Sequence, residues 1–482
     1  MNKNFGVLCH ISSIKSKYGI GDFGRSSFEF VDFLSKNNIN IWQVLPLCNT
    51  NKFNCPYATT SSLTFDEQYI SPDHLVELGL VCSSELKKLK HSATKNKVNF
   101  EVVKPEKLRL LNLAYNNASP QLIEKAKRFA TQIPEFYDYG YYRAVQEVKN
   151  VCDWHETKIE LWQKGNKEYK TFAKENESVI LKYIFFQYLL YTEWSTLKEY
   201  ANKRGVKILG DMPIYPDKSS LDVLNNLESF KLDEKYMPLV TGGVPPDDFC
   251  KDGQNWGTCI YNWEHLKQNG YQWIVRKINI LQSYYNILRI DHFAGFVEYY
   301  EISASDKLNA KWTIGGGEDL FNTIKSKCDI TSLVIEDLGI VLPSHKLVRD
   351  KFNLTGMSIL QQCISNNKYL PQNVAKNSIY YLGTHDNDTY IGFLRSIDKE
   401  HKQQLLNSLG LKKLSNKKIL IESVKQMLKS NSQTVVLQMQ DFLMQNEKFR
   451  TNYPGRAEGC WEYKVPNNYK SKFKRNLKEF LK

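Results

Sequence analysis

Eight short runs rich in β-branched and apolar residues recur along this chain: Gly6–Cys9, Ile41–Pro46, Val206–Asp211, Ile287–Asp291, Leu333–Glu336, Met357–Leu360, Ile379–Leu382 and Val435–Met439. Most are too short for helices and read as buried strands. Helical patterns separate several of them. Phe28–Lys36 follows the first run, and the long apolar Val179–Arg204 stops at Gly205 and leads into the third. Strands alternating with helices give a parallel α/β sheet, closed or doubly wound. Eight strands favour closure, so the expected class is α/β, a (β/α)8 TIM barrel.

Two spacers exceed simple crossovers. Residues 81–178 are polar, lysine-rich and helical in pattern, and read as an inserted helical subdomain. Residues 212–272, richer in Gly, Pro and aromatics, read as a long excursion after the third strand, the kind of loop that usually carries function. No linker or repeat divides the chain, which predicts one decorated catalytic barrel over 1–482.

Composition narrows the function classes. The formal net charge of +13 raises nucleic acid, but Lys and Arg are scattered in small groups. The densest stretch, Lys470–Lys482, has the spacing of an exposed helix, so a solvated basic surface is expected and no nucleic-acid partner. Ten Cys occur without CxxC or Cys/His metal spacing, which fits free thiols in a reducing compartment. No signal peptide and no apolar run of membrane-spanning length are evident, so a cytoplasmic enzyme without a membrane partner is expected.

In a barrel the C-terminal strand ends form the active face. Here they read Gly210-Asp211, Arg289-Ile290-Asp291-His292, Val334-Ile335-Glu336-Asp337 and Gly383-Thr384-His385-Asp386. One Asp after a strand is a common turn residue; four acids at equivalent places point to a carboxylate cluster. Of Glu336 and Asp337, neighbours on alternating sides, only one can face the barrel mouth, and strand geometry does not choose between them. Clustered carboxylates serve divalent metals or glycosyl transfer. Arg289 and His292 beside Asp291, and His385 beside Asp386, favour glycosyl transfer, because cationic and donor groups hold a nucleophile ionised and bind sugar hydroxyls but would repel a metal. No cofactor is expected.

At these residues the chain resembles the amylomaltase, or disproportionating-enzyme, family of 4-α-glucanotransferases in the α-amylase-like clan. The likeness runs through Gly6-Val7-Leu8, Tyr18–Gly24, Trp42–Leu47, Gly210–Tyr215, Gly243–Phe249 with Gln254–Gly257, Arg289–Phe293, Glu336–Gly339, Gly383–Thr389 and Asn452–Gly455. Only the region near 81–178 lacks a recognisable motif. The resemblance implies that Asp291 is the nucleophile, Glu336 the acid/base and Asp386 the transition-state stabiliser. It also implies retention of configuration, with the first two carboxyls about 5–5.5 Å apart. It makes the segment of about 243–257 a lid, with Asp247, Gln254 and Trp256 as sugar contacts. Tyr57 becomes a stacking aromatic, and Asp211, Arg289, His292, His385 and Asn452 join the substrate-binding set.

Departures from the family pattern stand at Cys55 (usually Ser), Ala294 (often Arg), Gln362 (Phe expected), Cys460 (Asn usual) and Asp66-Glu67 in place of Asn-Pro. None falls on the three catalytic acids, so they bear on acceptor contacts rather than reaction type. The expected function is transfer of α-1,4-glucan segments to the 4-hydroxyl of an acceptor, with maltooligosaccharides and other α-1,4-glucans as partners. The alternatives are an α-glucan hydrolase of the same clan and a non-catalytic glucan-binding scaffold.

Overall fold

The computed structural model describes residues 3–89, 96–246, 252–306 and 308–482. Each expected run is a strand of one eight-stranded parallel sheet. The strands are β1 (Asn4–Leu8), β2 (Ile41–Gln43), β3 (Lys207–Met212), β4 (Ile287–Ile290), β5 (Leu333–Ile335), β6 (Gly356–Ile359), β7 (Ser378–Tyr381) and β8 (Thr434–Gln438). Strand β2 ends earlier than its apolar run. Leu45 turns its N–H to His10 Nδ1 at 3.2 Å, and Pro46 has no N–H to continue the ladder.

Neighbouring strands pair in chain order, and β8 returns to β1. Each of these pairs shares three to five residue pairs. Between β5 and β6 a single bridge, Val334 to Thr355, closes the barrel. Above it the Asp337 carboxylate accepts the Met357 N–H at 2.8 Å, so a side chain extends the closure where the backbone ladder stops.

Alternation along the strands builds two cores. Leu8, Ile41, Leu209, Val334, Met357, Ile359, Ile379, Tyr381 and Val436 fill the barrel interior. Leu288, Ile290, Leu333 and Ile335 point outward into the larger core beneath the helices. The same parity directs Asp211, Arg289, Asp291 and Glu336 inward, one layer above the apolar filling. Gly210 allows close packing just before Asp211, because a Cβ there would lie 2.1 Å from the Tyr285 ring.

The helix after β1 spans Arg25–Ser35, and the long helix before β3 spans Glu177–Lys203 with Gly205 at φ +73°, a left-handed stop that Gly adopts without a Cβ clash. Helices Phe100–Asn116, Pro120–Gln132, Pro134–Lys149 and Lys167–Glu175 occupy the inserted region. Tyr139 and Arg143 from the third of them reach Glu67 Oε1 at 2.7 and 3.1 Å, which gives the unusual Glu67 a structural partner. The C-terminal helix Tyr469–Leu481 is not the fully exposed helix expected from its lysines, since Phe473, Leu477 and Phe480 bury one face. Among the described residues no helix is long and apolar enough to cross a membrane.

The excursion after β3 contributes strands Val240–Val244 and Gln254–Cys259. They join Glu298–Ser303 and Ala310–Ile314 in an antiparallel four-stranded sheet that strand patterning alone did not reveal.

Candidate active site

At the C-terminal ends of the barrel strands lies a cleft of about 390 Å³. Asp291, His292, Glu336, Asp386, Tyr57, Gln254, Trp256 and Asn452 all line it. Asp211, Arg289 and His385, each about 1% exposed, lie under its floor and do not line it. Asp247 falls outside the described residues.

The floor is organised by one guanidinium. Arg289 Nη1 contacts both Asp211 oxygens at 2.7 Å and Asp291 Oδ1 at 3.0 Å, while Nη2 reaches Glu336 Oε2 at 2.7 Å. Burial works against the charge on Arg289, but Asp211, Glu336, Tyr57 and Asp291 outweigh it and hold the group firmly protonated. Three carboxyls therefore surround one cation, and full ionisation would leave an uncompensated negative charge in a poorly solvated floor. Asp291 and Glu336 also act on each other, Glu336 raising Asp291 and Asp291 lowering Glu336.

The two carboxyls are not equally supported. Burial raises Asp291, reinforced by Glu336 and Asp211 against Arg289. Burial also acts on Glu336, but Arg289, the His292 N–H at 2.8 Å and Asp291 hold it below the ordinary value.

Of the two neighbours of Asp291, His292 serves as a donor rather than a cation. Burial, with smaller contributions from His345 and Arg289, lowers its imidazole to about 4, so at neutral pH it is not a cationic guard for Asp291. Its part here is played by the backbone, held at φ +41°, a left-handed conformation uncommon outside Gly that aims the N–H at Glu336. The indole of Trp256 packs edge-on against the His292 ring at 4.8 Å and donates to Gln254 Oε1 at 3.1 Å.

Asp386 is held from two sides. Asn452 Nδ2 donates to Oδ1 at 2.6 Å, and His385 Nε2 lies 3.2 Å from Oδ2. Burial alone would raise this carboxyl, yet His385, Asn452 and Arg289 hold it well below the usual range. Asp337 turns away from the cleft to Arg349 at 2.9 Å, so Glu336 is the member of that pair that reaches the mouth.

Sequence reasoning missed Arg450, whose Nη2 and Nε bind the carbonyls of Asp386 and Asn452, both at 2.6 Å. Its position two residues before Asn452 was the available signal, but no strand end marks it. Tyr215, Trp312 and Trp461 also line the cleft. Of the departures, Cys55 and Ala294 face the cleft, whereas Cys460 lies buried and accepts the Tyr453 N–H on its sulfur at 3.4 Å. Among the described residues no group of three His, Cys, Asp or Glu side chains is arranged to hold a metal.

Comparison with known proteins agrees with this geometry. A family model described as 4-alpha-glucanotransferase, glycoside hydrolase family 77, matches residues 9–470. A 4-alpha-glucanotransferase of Aquifex aeolicus is 32% identical over 99% of this chain and 97% of its own, and one of Clostridium butyricum is 33% identical over 95% and 96%. The amylomaltase of Streptococcus agalactiae, solved in complex with acarbose, superposes with a TM-score of 0.93 at 29% identity, covering 100% of this chain and 99% of that one.

Proposed function

Since the chain belongs to the 4-alpha-glucanotransferase family and transfers α-1,4-glucan segments, we propose that it does so by a retaining double displacement on Asp291. The observation that carries this reading is the Arg289 floor, where one guanidinium holds two carboxyls that face the cleft. That is the inventory the reaction needs, one acid and one nucleophile.

A glucan entering the cleft inserts its glycosidic oxygen beside Glu336 and its anomeric carbon beside Asp291. Glu336 enters the step protonated and Asp291 ionised, the form that positive charge growing on the sugar favours. Glu336 protonates the leaving oxygen as Asp291 Oδ attacks, giving a glucosyl ester and freeing the reducing-end fragment. The 4-hydroxyl of an acceptor glucan then gives its proton to Glu336 and displaces Asp291. Asp386, kept ionised, binds hydroxyls of the flattening donor ring.

Transfer prevails over hydrolysis when the acceptor is held over the ester and water, at about 55 M, is kept away. Gln254 and Trp256 are suited to meet the sugar, with Tyr57 offering its ring face; residues 247–251 of the expected lid lie outside the described residues. Maltooligosaccharides and other α-1,4-glucans are the substrates, and the cytoplasm is the site of action.

Incubation with maltotriose tests this reading. A ladder of longer maltooligosaccharides plus glucose is expected, with new linkages in the α configuration. Glucose and maltose without longer products, or inverted anomers, would overturn it.

A further inference from the structure

The three carboxyls that face the cleft are supported by two arms. Arg289 serves Asp291 and Glu336, and His385 serves Asp386. The arms meet at one atom, the phenol oxygen of Tyr57. It lies 2.7 Å from Asp211 Oδ2 and 2.9 Å from His385 Nε2.

The direction of each bond follows from counting protons. Asp211, paired through both oxygens with Arg289, is acceptor-only. Tyr57 owns a single hydroxyl proton and donates it there. Its oxygen must then accept from His385, so Nε2 carries the imidazole proton. The same nitrogen lies 3.2 Å from Asp386 Oδ2, within ion-pair distance of that carboxylate. His385 Nδ1 is buried without a partner, so an Nδ1–H tautomer would bury an orphan donor and turn the Nε2 lone pair against two oxygens.

We infer that the Tyr57 hydroxyl is a positioning group for the transfer reaction, distinct from the ring face that the same residue offers to a sugar. It satisfies part of Asp211, so the guanidinium is not drawn wholly toward that buried acid and keeps its reach to Asp291 and Glu336. It also holds the His385 ring, stacked on its own at 5.4 Å and 11°, so that the Nε2–H is kept from capture by Asp386. Loss of the hydroxyl alone disturbs both arms while leaving the stacking surface in place. The inference rests on the roles given above to Asp291, Glu336 and Asp386.

Tyr57→Phe and Tyr57→Leu separate the two functions. For Tyr57→Phe, kcat on maltotriose is expected to fall about tenfold or more while KM stays within about twofold, since one bond to a charged acceptor is lost. Tyr57→Leu should add a rise in KM. A Phe variant with kcat within twofold of the parent, or one whose loss lies in KM alone, would overturn the inference. A second measurement needs no variant: nitrogen NMR of the parent protein should give His385 as the Nε2–H tautomer. An Nδ1–H reading would reverse the bond order and refute the chain, whatever the catalytic roles of the acids prove to be.

Discussion

Replacing Arg289 by Gln removes the cation on which the floor of the cleft depends. The side chain is 1% exposed and that of Asp211 0%, whereas Asp291 and Glu336 retain 21% and 20% side-chain exposure. Breaking a buried ion pair by deleting one partner costs about 3–5 kcal/mol, because the remaining charge stays desolvated. Most of that penalty should fall on Asp211, since the other two acids reach water in the cleft. Without the guanidinium the folded-state carboxyl values rise above their unfolded values. The folded variant then holds protons that the unfolded chain releases, so its stability is greatest at low pH and is lost as pH climbs through the raised values. Urea unfolding of parent and variant at pH 5, 6, 7 and 8 should show a gap that is smallest at pH 5 and widest at pH 8. A gap at pH 7 below about 1 kcal/mol, the range of a surface ion pair, would refute the reasoning, as would a gap independent of pH.

Asp291→Asn should lose about 10⁴-fold or more in transfer while glucan binding, followed by calorimetry with a maltooligosaccharide, persists; retained turnover would remove Asp291 from the nucleophile's role. Asn452→Ala takes a 2.6 Å donor from Asp386, so the carboxyl rises and the acid limb of kcat moves to higher pH; an unmoved limb in the pH profile counts against Asp386 acting as an ionised group. Gly210→Ala drives a Cβ toward the Tyr285 ring at 2.1 Å and should cost about 1–3 kcal/mol or more; an unchanged melting temperature would show that the ring yields freely.

The barrel was legible because its strands are short, apolar and buried on both faces, so composition alone separates them from the helices. The site was legible because chemistry in a barrel collects where such runs end in acids. Depth was not legible. Asp211 and Arg289 occupy the same inward parity as Asp291 and Glu336, and only the tilt and packing of the closed sheet put the first pair beneath the floor. The state of His292 was also hidden, since burial by Trp256 and Tyr215 comes from a segment far away in sequence. The four-stranded sheet escaped because Val240–Val244 contains Gly242-Gly243 and Gln254–Cys259 is largely polar, so neither carries the pattern of an autonomous strand. Pairing of Val240–Val244 with Glu298–Ser303 on one side and Gln254–Cys259 on the other makes them strands.

A closed barrel is a hoop, and a hoop fails at its clasp. Here the clasp is the single Val334–Thr355 bridge, extended by the bond from Met357 N–H to the Asp337 carboxylate. Asp337 lies one residue from Glu336, so the proposed proton donor is mounted on the least-stitched edge of the wall. On the proposed mechanism the neighbouring acids divide two trades, one editing bonds in the sugar and the other keeping the ring shut. Damage to Asp337 would slacken the edge that aims Glu336 and would register as lost activity, although Asp337 faces away from the cleft. In a ring built this way, a residue can govern the reaction by governing circumference.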